Sequence, residues 1–171
     1  MRAERVRAGT VVVYFMMDEA ESGHAGFPQG TNGVSQYDEG PGGLPRDTVA
    51  TGDQLIVADS IIGLQPVTAL VYACAPIENQ IGFNMTGVSS PTTQASIEDA
   101  LNELMTREGA PAGTIDLSDV NSSIGSVSGS SGYLIESITS TVGGVTTTYP
   151  ANTNITNGTG QLPVLGTVNW V

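Results

Sequence analysis

The sequence has no lysine. Its five basic residues are all arginine, set against 17 acids, for a formal net charge of −12 over 171 residues. Three of them, Arg2, Arg5 and Arg7, fall in the first seven positions. A phosphate-cradling loop of the Gly-rich, lysine-bearing type is therefore excluded. No basic stripe exists to track a phosphate backbone, which argues against nucleic acid as a partner. The acidity reads most simply as solubility.

Cysteine and histidine are each present once. Cys74 excludes an intrachain disulfide. Placed inside an apolar run, it reads as a small core residue and fits a reducing, intracellular origin. It sits mid-strand, away from the electropositive turn or helix N-terminus that activates a thiol. His24 is the only imidazole available to a serine nucleophile, and no Gly-x-Ser-x-Gly elbow occurs. Glu98 and Asp99 are adjacent on a helical stretch and face different ways, so a glycosidase dyad has no support. Arg107 and Glu103 read as an i, i+4 surface pair. No apolar run approaches the ~20 residues that span a bilayer, so no membrane partner is expected. The apolar run after the charged N-terminus has β character and reads as a strand rather than a signal peptide.

What remains is a pattern of short strands and helices. Residues 66–76 form the best strand, with Val67, Ala69, Val71 and Ala73 on one face and Thr68, Leu70, Tyr72 and Cys74 on the other. An earlier strand is expected over 10–17. Residues 51–64 read as a helix capped by Thr51, with Asp53 in its first turn. Strand, helix and strand make a β-α-β unit in which 10–17 and 67–75 pair in parallel. Between the first strand and this helix, 20–50 is rich in Gly, Pro and acids and reads as a long loop.

Past Pro76, Ile81, Phe83 and Met85 alternate along a half-buried strand. Ile97, Ala100, Leu101, Leu104 and Met105 then mark a helix opened by Ser90-Pro91 and stopped by Gly109. A short helix follows, capped by Ser118 and carrying Val120, Ile124 and Val127. A strand over 133–138 comes next, with a weak hairpin around Gly143-Gly144. The last strand, 162–170, has Pro163 near its start, which suggests an edge strand or a strand entry. The fold class is α+β, with small mixed sheets covered by helices: a β-α-β unit followed by a β-α-α-β-β unit.

Four stretches resemble the baseplate J-like proteins of contractile-tailed bacteriophages. They are Val11–Asp18, ending in Met-Met-Asp; Leu64–Ala69 with Cys74-Ala75-Pro76, where Gln65 stands in place of the usual arginine; Gly113–Ser118; and Gly160–Trp170, with its Leu-Pro-Val-Leu-Gly core. The resemblance implies that the chain corresponds to the C-terminal half of a typical member. Residues 1–75 would be part of a middle domain, with the acidic Gly/Pro-rich loop at 20–50, and 76–171 the C-terminal domain. It implies a structural wedge subunit of the tail baseplate, not an enzyme, with no cofactor. The expected partners are other wedge and tail proteins and further copies of the chain. The expected location is the virion tail, assembled in the host cytoplasm, or the same place in a tailocin or other phage-derived contractile machine.

Phe27, Tyr37, Tyr133 and Trp170 are the candidate interface residues, because aromatic side chains dominate binding hot spots. The free edges of strands 10–17 and 162–170 are candidate pairing sites. A different reading is a cation-binding module built from Asp18, Glu21, His24 and Asp38. Their spacing matches no EF-hand or zinc pattern, and a solvated acidic loop is the plainer interpretation.

Overall fold

Five residues of the first apolar run, Thr10–Tyr14, form strand β1 in the computed structural model, which describes residues 9–40 and 42–171. The N-terminal arginine cluster and Pro41 lie outside the described residues. The chain divides into two units, the first ending at Pro76 and the second spanning Ile77–Val171.

In the first unit β1 stops earlier than the apolar run. Asp18 has a positive φ of 45°, and the Met17 amide donates to Gly26 O at 2.8 Å, so the chain turns away. A 3-10 segment follows at Asp18–His24. Strand β2 (Gly30–Thr31) then pairs antiparallel with β3 (Thr51–Gly52). Helix α1 covers Asp53–Ile61 and continues into a 3-10 turn at Ile62–Leu64. Thr51 does not cap it. Gly52 occupies the cap position, and Thr51 Oγ1 instead accepts from Thr31 N at 3.0 Å within the β2–β3 pair. Asp53 does sit in the first turn, and its carboxylate accepts from Gln29 N at 2.7 Å.

Strand β4 is Leu70–Cys74, shorter than the apolar run that predicts it, because 67–68 turn instead. It pairs in parallel with β1, from Thr10 opposite Leu70 to Tyr14 opposite Cys74. The parallel β-α-β expectation is therefore met. The core here is built of small residues: Ala50, Ala58 and Ala73, backed by Phe15, Leu55 and Val57. The 20–50 stretch is not structureless. Val34 bridges to Val49 and Gly33 to Ala73, and Val34, Ser35 and Asp38 are buried.

The second unit opens with β5 (Ile77–Thr86), the strand around which it packs. Its period of two puts Ile81, Phe83 and Met85 in the core. Helix α2 (Pro91–Glu108) covers that face with Ile97, Leu101, Leu104 and Met105. Ser90 caps it through its side chain, accepting from Thr93 N. Arg107 lies 3.9 Å from Glu103 and 3.2 Å from Glu108 on its exposed side. Next come β6 (Thr114–Ile115) and α3 (Leu117–Gly125), whose cap position is Asp116 rather than Ser118. Val120 and Ile124 face the core.

Strands β7 (Leu134–Val142) and β8 (Val145–Pro150) form a full hairpin. Gly143 and Gly144, at φ 57° and 81°, supply the two left-handed positions that a two-residue hairpin turn requires. Strand β9 (Ile155–Thr156) pairs antiparallel with β6. Strand β10 (Gln161–Trp170) closes the chain. The main sheet runs β10-β5-β7-β8, with β10 parallel to β5 and the rest antiparallel. Pro163 thus lies on an edge strand, as expected.

Candidate assembly surfaces

In the first unit the chemistry-bearing side chains meet around Asp38, which is 4% exposed. Its Oδ1 accepts from Arg46 Nε, and its Oδ2 accepts from Gln65 Nε2 at 3.1 Å. Arg46 Nη2 donates to Ala69 O at 2.7 Å, and Gln65 Nε2 also reaches Ala69 O, at 2.9 Å. This clasp ties the 38–46 segment to the chain just before β4. The guanidinium in the cluster comes from Arg46. Beside the clasp lies an open depression of ≈390 Å³ lined in part by Tyr37, Ile62, Pro66 and Val67. Tyr37 (65% exposed) and Val67 (93%) offer apolar surface at its rim.

A second tether lies at Asp59 on α1. Its carboxylate accepts from Ser35 Oγ at 2.7 Å, Gln36 Nε2 at 2.6 Å and Gln36 N at 3.2 Å. Partial desolvation pushes the Asp59 carboxyl upward, but the three hydrogen bonds together outweigh it and leave it below its ordinary value of 3.8.

Each predicted interface residue has a definite place. Tyr37 is exposed at the depression just described. Phe27 is buried, at 9% exposure, and presents little surface to a partner. Tyr133 packs against the core of the second unit, and its hydroxyl donates to Asn121 Oδ1 at 2.9 Å. Burial raises its phenol above the usual value. Trp170 packs against the same core while its Nε1 donates to Glu98 Oε1 at 2.9 Å. Phe27 and Tyr37 belong to the first unit, and Tyr133 and Trp170 to the second.

The structure does not assemble a cation site from the acids. His24 Nδ1 lies 2.9 Å from Glu21 Oε2, while Asp38 is engaged by Arg46. Among the described residues no group of three His, Cys, Asp or Glu side chains is placed to hold a metal. Among the same residues no helix is long and apolar enough to cross a membrane.

The surface that sequence reading missed is β8. All six of its residues are exposed, and it forms one edge of the main sheet. No charged side chain occurs after Glu136, so β8 and β10, the two edges, are both uncharged. That absence was the available signal. Under the hairpin lies a cavity of ≈170 Å³ lined by Ile81, Ile138, Tyr149, Ile155 and neighbouring Asn, Ser and Thr side chains. An apolar cavity of about this size can hold a benzene-sized group.

The family model described as Baseplate J-like protein C-terminal domain matches residues 83–171. The matched stretch starts within β5 and takes in the rest of the second unit. Among curated proteins no match to the chain is found.

Proposed function

The chain belongs to the Baseplate J-like family, and we propose that it is a wedge subunit of a contractile phage tail baseplate. The family supplies structural proteins of the phage tail baseplate and is not known for catalysis. The wedge position is our finer reading. So are self-association, assembly in the host cytoplasm, and correspondence of the first unit to the family's middle domain. The same reading extends to the equivalent subunit of a tailocin or other phage-derived contractile machine.

The observation that carries it is the family match over 83–171. The physical character of the surfaces supports it. A subunit that works by contact needs sheet edges and rimmed depressions open to partners. Here β8 and the Tyr37–Val67 rim are open, while the polar groups beneath them are satisfied. Among the described residues every buried side-chain nitrogen and oxygen has a hydrogen-bond partner. Electron microscopy of the parent particle, with the chain tagged, tests the assignment. Density at the baseplate around the hub is the expected result. A tag found only on the head, the sheath or free in the lysate would overturn it.

A further inference from the structure

We infer that the cavity under the β7–β8 hairpin is a binding site for a small neutral aromatic molecule, the size of a single ring. The strand register builds its floor. Residues paired across a sheet share a face. Ile81 pairs with Ser140, and Ile138 pairs with both Phe83 and Tyr149. Ile81 and Phe83 are core residues, so Ser140, Ile138 and Tyr149 lie on the core face of the main sheet. The cavity is bounded by that face and by the segment 153–156, which includes β9.

The facing segment is anchored to β6 and α3. Asn154 Nδ2 donates to Asp116 Oδ1 at 2.8 Å, and Asn154 Oδ1 accepts from Leu117 N at 3.0 Å. Ile155 pairs with Ile115 across β9 and β6. Both walls are therefore set by the fold, and a guest has little chain to order on entering.

Size and chemistry then select the ligand. At ≈170 Å³ the space is well below the roughly 300–1,000 Å³ of pockets for drug-sized ligands, which excludes a nucleotide or a peptide. It is close to the roughly 150 Å³ of an apolar cavity that holds benzene. No lining side chain is charged, so an entering ion would leave water without a counter-charge. The polar groups of the wall are already engaged. Ser140 Oγ donates to Asn79 Oδ1 at 2.6 Å, and Asn79 Nδ2 donates to Asn157 Oδ1 at 2.8 Å. Among the described residues no buried side-chain nitrogen or oxygen lacks a partner, so binding gains from filled apolar space rather than from polar recognition. Ile81, Ile138 and Ile155 supply that apolar wall. Tyr149, a lining residue that is 41% exposed, marks a way in from solvent and offers a ring for edge-to-face packing. A single buried ring predicts a dissociation constant on the order of 1 mM.

This site is independent of where the chain sits in a particle. Its test is a titration of the full chain, labelled at the isoleucine methyl groups, with toluene and separately with benzoate, followed by NMR. Toluene should shift the Ile81, Ile138 and Ile155 methyl signals saturably and leave Ile56 of the first unit in place. Benzoate, the same ring carrying a charge, should bind at least about tenfold more weakly. Thr153→Leu adds bulk to the cavity wall and should weaken toluene binding at least about tenfold. Tyr149→Ala removes one wall at a partly exposed position, where folding is not at stake, and should weaken it several-fold; it decides the matter if Thr153→Leu does not fold. Lining signals that stay put up to toluene saturation overturn the assignment. So do shifts that spread equally to Ile56, benzoate binding as tight as toluene, or a folded variant that binds like wild type.

Discussion

Arg46→Met isolates the clasp of the first unit. Methionine keeps much of the aliphatic stem, so the change falls mainly on the guanidinium. It leaves Asp38, at 4% exposure, with Gln65 Nε2 as its remaining side-chain donor and frees Ala69 O of one of two donors. Removing one partner of a buried ion pair costs about 3–5 kcal/mol. The Arg46 side chain is itself 26% exposed, and Asp38 keeps one hydrogen bond, so about 2–3 kcal/mol is the reasoned loss. In a unit of this size that corresponds to a fall of roughly 10–20 °C in its melting midpoint.

Two units need not unfold together, so a single global transition would blend them. Hydrogen exchange read peptide by peptide over 30–76 avoids this. Protection should drop in 34–46 and in the chain before β4, with peptides of the second unit unchanged. The double variant Asp38→Asn/Arg46→Met should lose less than the sum of the two single changes, because the uncompensated charge goes with its partner. A loss below about 0.5 kcal/mol, with exchange over 34–46 unaltered, would mean that the pair behaves as a solvated surface pair. The clasp would then not be what orders the segment.

Other consequences are more quickly drawn. Asp59 has a depressed carboxyl in the folded state, so its contribution is present above its unfolded value of 3.8 and lost as pH falls through the folded value. Exchange in peptides containing 35–36 should therefore rise below about pH 4, and Asp59→Asn should remove that acid-dependent step. Leu101→Ala empties the middle of α2's buried face and should cost about 2–5 kcal/mol in urea unfolding followed by Trp170 emission; a cost near zero would mean that the helix is not seated on β5. Trp170→Phe deletes the bond to Glu98 and should cost about 1–2 kcal/mol by circular dichroism, with Glu98→Gln losing less because an acceptor oxygen remains.

Legibility in the sequence followed how local the physics was. The period of two in Ile81-Phe83-Met85 and the helical stripe from Ile97 to Met105 placed β5 and α2 within a residue or two. There, burial pattern and propensity agree. The Gly143-Gly144 turn was visible too, since only glycine accepts both left-handed positions readily.

The first unit was harder to read for a physical reason. Its 20–50 segment is held by polar tethers, Asp38 to Arg46 and Asp59 to Ser35 and Gln36, across 8 to 24 residues of separation. No periodicity announces such pairs. The helix cap moved from Thr51 to Gly52 because Thr51 was recruited into a two-residue pairing with Thr31. The aromatic rule found Tyr37 at a surface, but it also picked Phe27, which is buried. Residue type alone does not separate an anchor from a core residue.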